Sequence, residues 1–494
     1  MKNLLYIISL CGLLTACDLQ EEPYGFYSDD NFYKSETDAE SGLLYAYNAL
    51  TFLEYSRGIF YIGDIPTETM SPKSDEAGDV YQLENWIANR ETEQLQYYFK
   101  YCYIAINRAN TVIDHIQNSS VLSETARRRI LGEAYFLRAW NYFNLVRTFG
   151  IVPVQTKMVA KLSQTTPPMA TGLDQLYDLI LGDLTRADNL LEVNKVFGRA
   201  DKVAAQSLMA KAYLTIASSK EHNVHRYTEM RREPQIMYDS AAYWAGKVVR
   251  DYKNVYDFDT NLRDIYDVDK PTGPEHIFIM PIDRSGTQEG NYSKLPLLFL
   301  PSNNSVPFYI RYGNGDLQRA NGNGWGVFLC NDEFVETQFS TTDKRRTELI
   351  HSDIYDASGN PIVPNQVKGY FSSKYVDPDF IGERTSARPY LIRFSDIALV
   401  YAEAAGPEAG LAYVNRIRER AGVTPLPSGM TTDKFREAVI KERALELAFE
   451  GNRLYDLRRT ASVTTTDIKA AGLSEAEAAY YPIPQREIDL NPNL

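Results

Sequence analysis

Apolar residues recur every three to four positions through much of the first half of the chain. Between residues 173 and 191 they fall at Leu173, Leu176, Ile180, Leu184, Ala187 and Leu191. This spacing places the apolar side chains on one face of an α-helix. Similar stripes run through about 92–118, 124–148, 202–219 and 237–250. The pattern therefore predicts a series of amphipathic helices that each bury one face.

Capping-box spacings indicate where two helices begin. Thr37 and Glu40 stand three residues apart just before an apolar stripe, and Ser474 and Glu477 repeat the spacing near the end of the chain. In a capping box the two side chains satisfy backbone N–H groups in the first turn. We therefore expect helices to start at these two places.

Small residues occur in pairs where neighbouring helices would have to approach closely. The pairs are Ala134 with Ala139, Ala205 with Ala212, and Ala402 with Ala405. A second amphipathic stretch follows, as where Ser395–Ala405 is followed by Glu408–Ala421. Stacked helix pairs of this kind are typical of tetratricopeptide-like hairpins. The repeat spacing is irregular, so insertions interrupt any solenoid, and generic helical packing remains the alternative.

The pattern changes between residues 252 and 392. Gly, Pro, Asn and Asp cluster there, and apolar runs are short, as at Ile277–Ile282 and Leu295–Leu300. Turn formers are dense at 312–315 and 321–326. We predict loops with a few short strands lying across the helical frame. Long loops on a rigid frame are common places for binding residues.

Composition and charge exclude one class of partner. The 494 residues are 44% hydrophobic and 24% charged, which is ordinary for a globular protein with a large core, and the formal net charge is -13. Removal of residues 1–16, whose only charged side chain is Lys2, gives -13 - 1 = -14. Such a chain repels phosphate backbones, so nucleic acid is not expected as a partner.

The N-terminus has the pattern of an export signal. Lys2 precedes a short apolar run, Leu4 to Leu14, and small residues then lead to Cys17. The run is too short to span a bilayer, which favours a cleaved targeting segment. Ala16 followed by Cys17 resembles the lipobox of bacterial lipoproteins, in which acyl chains on the cysteine anchor the mature protein. An ordinary secretory signal with a chance cysteine is the alternative.

The other cysteines and the histidines offer no catalytic or metal-binding motif. Cys102 and Cys330 are far apart and are expected to be buried free thiols, although one long-range disulfide remains open. The five histidines form no HExxH motif, and the chain has neither a Gly-x-Ser-x-Gly elbow nor a phosphate-binding glycine loop. We predict no catalytic residue and no cofactor.

One acidic segment has some features of a metal-binding loop. Asp267, Asp269, Gly273 and Glu275 superficially resemble a calcium loop, but their spacing does not fit the EF-hand register. Calcium binding at this segment is the alternative to our expectation that the protein binds no metal.

Three carboxylates are spaced four residues apart near the C-terminus. Glu442, Glu446 and Glu450 would repel one another on a single helix face unless cations lie opposite. The cations expected to pair with them are Arg443, Arg453, Arg458 and Arg459. We interpret the set as a structural ion network. The alternative is a glycosidase acid–base pair, but arginine pairing lowers the pKa of a carboxyl group, which is the wrong direction for an acid catalyst.

Several motifs resemble those of one family. In the C-terminal part they lie at residues 393–404, 413–422, 441–459 and 481–484, and in the N-terminal half at 107–111, 133–139 and 149–153. Among them are the run Glu450-Gly451-Asn452-Arg453-Leu454-Tyr455-Asp456 and the pair Asn107-Arg108. Together they resemble the SusD/RagB family, the surface lipoproteins of glycan-utilisation systems in Bacteroidetes. The resemblance is weakest in 252–392, where ligand choice would lie.

The resemblance implies a fold, a partner and a function. It implies a mostly α-helical protein with tetratricopeptide-like hairpins and an inserted loop-rich region with short strands. The implied partner is a SusC-like TonB-dependent transporter, to which the outer-membrane lipoprotein passes a captured glycan without altering it. A RagB-like peptide receptor is the main alternative, and a surface glycosidase a weaker one. The predicted segments are a signal peptide (1–16), a lipidated tether (17–34), an N-terminal helical part (35–251), a loop-rich part (252–392) and a C-terminal helical part (393–494).

The abundance of aromatic residues suits sugar binding. The chain has 35 Tyr, 21 Phe and 4 Trp, and flat rings with nearby polar groups can hold the apolar faces and hydroxyls of sugars. Trp140 and Trp244 lie within helical stripes and are expected in the core. The candidate glycan-binding residues, most of them in or near turn-rich segments, are Trp325, Trp86, Tyr309, Tyr312, Arg311, Asn314 and Tyr81.

Overall fold

The structure is a computed structural model that describes residues 32–76, 78–284, 293–363, 367–380 and 384–494. The predicted signal peptide, Cys17 and most of the predicted tether lie outside the described residues. None of the helices in these ranges is both long enough and apolar enough to cross a bilayer.

Helices account for most of the regular structure, as the sequence predicts. In the described residues they are α1 (Glu36–Thr51), α2 (Leu53–Gly63), α3 (Asp79–Glu84), α4 (Glu93–Ile116), α5 (Glu124–Phe149), α6 (Leu173–Leu190), α7 (Lys202–Glu221), α8 (Pro234–Asp251), α9 (Leu295–Phe299), α10 (Asp332–Gln338), α11 (Lys344–Leu349), α12 (Phe394–Ala405), α13 (Pro407–Arg420), α14 (Thr432–Glu446), α15 (Arg453–Arg459), α16 (Val463–Thr466), α17 (Glu475–Ala479) and α18 (Gln485–Leu490).

Strands are short and pair two by two. They are β1 (Met70–Pro72), β2 (His276–Ile279), β3 (Phe308–Arg311), β4 (Leu317–Ala320), β5 (Phe328–Cys330), β6 (Ile350–His351), β7 (Phe371–Ser372) and β8 (Tyr390–Arg393). Within the described chain the antiparallel pairs are β1 with β5, β2 with β8, β3 with β4, and β6 with β7. The fold is therefore mostly α, with small strand pairs between the helices.

Consecutive helices form the predicted hairpins. Helix α4 packs on α5, α5 on α6, α7 on α8, and α12 on α13, while α12 also packs on α8. The observed helices match the apolar stripes to within a few residues at each end. The helix positions agree with the sequence because an amphipathic helix is defined by apolar residues only three to four positions apart.

One of the two predicted helix starts is displaced. Helix α1 is capped by Ser35, whose hydroxyl accepts from the N–H of Asp38 at 3.1 Å while the Asp38 carboxylate accepts from the Ser35 N–H at 2.9 Å. The predicted pair Thr37 and Glu40 lies inside that helix, so this prediction was wrong by two residues. The late capping box at Ser474 and Glu477 is confirmed.

The two short apolar runs of the loop-rich region fold differently. The first forms β2 and pairs with β8. The second forms the short helix α9, which has Pro296 in its first turn. Proline suits that position because its fixed φ matches a helix and its missing N–H would have no helical partner there.

Aromatic packing joins the loop-rich region to the helical frame. Phe60 of α2 lies 5.3 Å from Phe299 of α9 and 5.3 Å from Tyr375, measured between ring centroids. Phe299 also lies 5.2 Å from Phe328 of β5. Such edge and tilted contacts bury large apolar areas, so the loop-rich region rests on the same core as the helices.

Cys102 and Cys330 are buried free thiols, as expected. Burial raises the pKa of the Cys102 thiol well above its usual range. The open alternative of a disulfide between Cys102 and Cys330 is therefore wrong for this structure.

Candidate binding surface

Trp325 lies on a loop that close backbone packing holds in place. A Cβ atom on Gly324 would overlap the carbonyl oxygen of Leu300, and one on Gly322 would overlap the backbone of Val306. The Trp325 backbone N–H donates to the carbonyl of Leu297 at 2.6 Å. Only glycine permits this approach, so the glycine-rich sequence here makes a fixed loop.

The indole of Trp325 is available at the surface. Its side chain is 46% exposed, unlike most aromatic residues of this region. The ammonium nitrogen of Lys294 lies 5.6 Å from the ring centroid. A fixed, half-exposed indole beside a cation suits stacking against a sugar face.

Strand pairing brings a segment of the N-terminal part alongside this loop. Pro72 of β1 pairs with Phe328 of β5, and the N–H of Lys73 donates to the Val327 carbonyl at 3.0 Å. The chain then continues into α3, where Tyr81 is 52% exposed. Trp325 and Tyr81 therefore belong to segments joined by one strand pair, although 244 positions separate them in sequence.

Tyr309 and Arg311 point to the outer face of the β3–β4 hairpin. Phe308 and Ile310 alternate with them and are buried. Opposite Tyr309 on β4 lies Arg319, which is exposed. Side chains two residues apart on a strand share a face, so the hairpin presents a polar outer surface.

Tyr355 extends the same surface on the other side of β3. Its backbone exchanges two hydrogen bonds with Tyr309, at 2.8 and 2.9 Å. The Arg311 guanidinium lies 4.3 Å from the Tyr355 ring centroid and donates to the Gly359 carbonyl. We call Tyr309, Arg311, Arg319 and Tyr355 the tyrosine–arginine face. Sequence reasoning missed Arg319 and Tyr355, and only the alternation in β4 offered a signal for the first.

Asn314 has a structural role at the turn of this hairpin. Its side chain donates to Asp316 Oδ2 at 2.7 Å and accepts from the Asp316 N–H at 3.0 Å. The loop of Trp325 meets the opposite end of the hairpin, at Val306. Four paired residues of about 3.3 Å each separate the two ends. The candidate residues of the hairpin therefore spread along its length and do not form one cluster around Trp325.

Trp86 does not belong to the binding surface. It is only 8% exposed, its indole N–H donates to Asp467 Oδ2 at 3.1 Å, and its ring stacks on Tyr481 at 6.2 Å. The prediction of a glycan contact for Trp86 was wrong because a distant C-terminal segment covers it. Trp140 is buried as expected, and Trp244 is partly buried against the same core.

Tyr312 is also covered. It is 6% exposed, its hydroxyl donates to Gln318, and its ring meets His351 edge-on at 5.5 Å. Burial raises the pKa of Tyr312 to about 12. Its predicted role in ligand contact is wrong, since the side chain packs beneath the hairpin instead.

The C-terminal carboxylates form a buried ion network, as predicted, but with different cations. Arg393 donates to Glu446 at 2.8 Å, to Glu450 at 2.8 Å and to Glu275 at 2.9 Å. Arg345 reaches Glu442 at 2.6 Å. Helix α14 ends at Glu446, so Glu450 lies beyond it and the three acids do not share one helix face.

The arginines expected to pair with these acids serve other partners. Arg443 binds Asp396 and Asp456, at 2.8 and 2.9 Å. Arg453 pairs with Glu68, Arg459 with Glu403 and Asp456, and Arg458 with the backbone carbonyls of Arg147 and Thr148. The predicted partners were wrong because the cations come from segments far away in sequence.

The electrostatics of the network disfavour acid catalysis. Burial alone would raise the pKa of Glu446, but the charges of Arg420, Arg393 and Arg345 outweigh it and lower that pKa to about 2. A catalytic acid needs a pKa near the working pH. Glu446 is therefore suited to holding the fold together and not to donating a proton.

The segment considered for calcium is committed to other contacts. Glu275 accepts from Arg393, from Ser395 at 2.8 Å and from Arg420. Asp269 pairs with Arg284 at 3.2 Å. Within the described ranges no cluster of three or more His, Cys, Asp or Glu side chains is arranged to hold a metal ion. The residues do not converge, so the calcium alternative has no support at this segment.

Two family models match the chain. The model described as "SusD family" matches residues 340–494, and the one described as "Starch-binding associating with outer membrane" matches residues 33–214. The unmatched stretch between them contains the Trp325 loop and both strands of the hairpin. The matched segments contain most of the helical frame and, apart from Glu275, the acids and arginines of the ion network.

Curated relatives align over nearly the whole chain. SusD-like protein P2 of Formosa agariphila is 24% identical, with 92% of this chain and 89% of that protein covered. SusD-like protein P38 of the same organism is 26% identical, with 99% and 97% covered. A SusD-like protein of Bacteroides ovatus is 25% identical, with 92% and 82% covered.

Solved structures share the fold. A SusD homolog from Bacteroides thetaiotaomicron superposes with a TM-score of 0.77 at 20% identity, covering 95% of this chain and 98% of the other. A protein described as a laminarin-binding SusD-like protein gives 0.74 at 22% identity, covering 93% and 98%. With both family models, the full-length relatives and this shared architecture in agreement, the chain belongs to the SusD/RagB family.

Proposed function

We propose that this protein captures glycans at the cell surface and passes them, unaltered, to a SusC-like TonB-dependent transporter. The observation that carries the proposal is the half-exposed indole of Trp325 on a glycine-packed loop. A preformed platform of this kind loses little conformational entropy when a sugar stacks on it. One family model is described as starch-binding and one structural neighbour as laminarin-binding, which supports the ligand class.

The tyrosine–arginine face supplies the polar half of the site. Arg311 and Arg319 form no ion pair with any described carboxylate, and their guanidinium groups donate to the carbonyls of Gly359 and Pro378. Guanidinium and tyrosine groups can donate to sugar hydroxyls and ring oxygens. The ends of the hairpin are about 13 Å apart, and the proposal has an extended oligosaccharide contact both this face and Trp325.

A binding role without catalysis fits the disposition of the acids. Several buried carboxylates, among them Glu275, Glu446 and Asp456, are held by arginines. The proposal therefore assigns recognition to this surface and assigns no reaction to it.

The proposal includes the anchor and the two-part organisation. Acylation of Cys17 would tether the protein to the outer membrane and raise the effective concentration of a weakly held glycan near the transporter. Part of the helical frame would contact the transporter, leaving the loop-rich part 252–392 for the ligand held at Trp325. The outer-membrane description of one family model agrees with this location.

Binding measurements with matched variants test the proposal. The wild-type mature protein is screened against neutral and acidic oligosaccharides and against a peptide mixture, and the hits are titrated by calorimetry. We expect a glycan to bind and Trp325→Ala to weaken it at least tenfold, with Trp244→Ala as a control indole outside the surface. Binding of peptides alone would favour a peptide receptor and contradict the proposal.

A further inference from the structure

Two adjoining grooves lie on the helical side of the molecule, outside the loop-rich part. One, of about 420 Å³, runs between α4, the segment 153–167 and α18. The other, of about 590 Å³, runs between α1 and α4. The side chains that line both are Tyr103, Asn107 and Glu487. We call the combined feature the α4–α18 groove.

The walls of the α4–α18 groove are held by backbone pairing. The N–H of Val154 donates to the Pro168 carbonyl at 2.9 Å, and the N–H of Ala170 donates to Val152 at 3.1 Å, which closes the intervening loop at its base. The Asn491 side chain, just after α18, donates to the Pro167 carbonyl at 2.9 Å. The groove is thus preformed, as ligand sites usually are.

An acceptor and a donor at the junction of the grooves have no partner among the residues that the structure describes. The half-buried Glu487 carboxylate forms no hydrogen bond or ion pair with the described residues, and its partial burial raises the pKa of Glu487. Asn107 accepts from the Val159 N–H at 3.0 Å through Oδ1, while its Nδ2 donates to none of the described groups. Polar groups that line a preformed groove in this way can pair with a ligand in place of water.

Aromatic rings flank these two groups. Phe99 and Tyr103 pack with their centroids 4.9 Å apart in the wall of the first groove. In the second groove the Tyr45 ring is 59% exposed, and the Arg108 guanidinium lies 3.6 Å from its centroid. The guanidinium fixes Tyr45 in place and leaves the opposite face of the ring for stacking.

We propose that the α4–α18 groove is a second saccharide site, for a neutral oligosaccharide of at least two sugar units. The Glu487 carboxylate accepts from sugar hydroxyls, the Asn107 amide donates to a sugar oxygen, and the rings hold the C–H faces. Lys100 and Arg486 already act on Glu487 with positive charge, so a neutral donor suits it better than another cation. The same carboxylate repels acidic sugars.

The second site depends on the proposed function in one respect only, namely that the ligand is a saccharide. Its lining comes from α1, α4 and α18, from residues just before α1 and just after α18, and from the loop before α6, and none of it comes from residues 252–392. The two sites can therefore be separated by mutation. A glycan held at both gains avidity over either site alone.

The test uses the mature protein and a panel of neutral and uronic-acid oligosaccharides of two to seven units. Calorimetric titrations compare wild type, Trp325→Ala, Glu487→Gln and the double variant. Asp489→Asn is the matched control, because Asp489 lies on the same helix, carries the same charge and does not line the groove. Thermal unfolding checks that each variant is folded.

The expected result is a neutral glycan that still binds Trp325→Ala and loses at least tenfold in affinity when Glu487→Gln is added, with no loss from Asp489→Asn. If Trp325→Ala binds only acidic glycans, the inference is wrong. If Glu487→Gln leaves all glycan binding unchanged, the second site is refuted while the proposed function stands. If no glycan binds the wild type, both fail.

Discussion

Arg393 and Glu446 are joined by a hydrogen-bonded ion pair of 2.8 Å, and each side chain is at most 2% exposed. Arg393 stands at the junction of β8 and α12, while Glu446 ends α14. The same guanidinium also holds Glu275 and Glu450. One side chain therefore ties the loop-rich region to the C-terminal helices.

Replacement of Arg393 should destabilise the fold severely. Arg393→Met leaves Glu275, Glu446 and Glu450 with too little positive charge in a buried site, and breaking such a pair costs roughly 3–5 kcal/mol. The free energy of unfolding from urea titration measures the loss. Arg416→Met is the control, because its pair with Asp257 is partly exposed and should cost about 1 kcal/mol or less. Equal losses in both variants would contradict the network's role.

Acid should weaken the protein through the same carboxylates. The pKa of Glu446 is about 2 in the folded protein, against an ordinary 4.5. A lowered pKa gives stability that is complete above pH 4.5 and is lost as the pH falls from there toward 2. Urea titrations at pH 3, 4 and 5 should show a falling free energy of unfolding. A flat profile over this range would argue against paired carboxylates.

Ionisation of Asp64 should make the stability depend on pH in the opposite direction, with a loss as the pH rises. The Asp64 carboxylate accepts from the Gly451 N–H at 2.7 Å through Oδ2, but the buried Oδ1 has no hydrogen-bond partner in the described ranges, and burial raises the pKa of Asp64 from 3.8 to about 7. A raised pKa in an acid gives stability that is complete below pH 3.8 and is lost as the pH rises through about 7.

Asp64→Asn removes this titration. Each pKa unit corresponds to about 1.4 kcal/mol, so the shift corresponds to roughly 4 kcal/mol. We expect the variant to gain stability relative to wild type as the pH rises from 4 to 8, in parallel urea titrations. A constant difference between the two proteins over this range would refute the assignment.

Substitutions of Trp86 and Trp325 should have different effects on the stability of the protein. Trp86→Ala removes a buried ring and its bond to Asp467 and should cost roughly 3–5 kcal/mol of stability. Trp325→Ala should change the free energy of unfolding by less than about 1 kcal/mol, because its ring is half exposed. Thermal and urea unfolding of the two variants checks this, and the reverse order would invalidate the placement of the candidate surface.

How much the sequence predicts depends on the range of each interaction. The stripe from Leu173 to Leu191 predicts α6 because a helix face is defined within a few turns. Trp86 was misplaced because Asp467 and Tyr481, nearly 400 residues away, cover it. Nothing near Trp86 in sequence indicates that contact.

The ion network illustrates the same limit. The acids Glu442 and Glu446 are evident from their spacing, and their need for cations follows from elementary electrostatics. Their actual partners, Arg345 and Arg393, lie on helix α11 and strand β8. Tyr355 joined the tyrosine–arginine face in the same way, through a backbone pairing with Tyr309 that no local pattern indicates.

The account is tested most directly by incubating the mature wild-type protein with an oligosaccharide panel and measuring both binding heat and newly formed reducing ends. We predict that at least one glycan binds, that Trp325→Ala weakens this binding at least tenfold, and that no reducing ends appear. Release of reducing ends, or the absence of any glycan binding, would contradict the account.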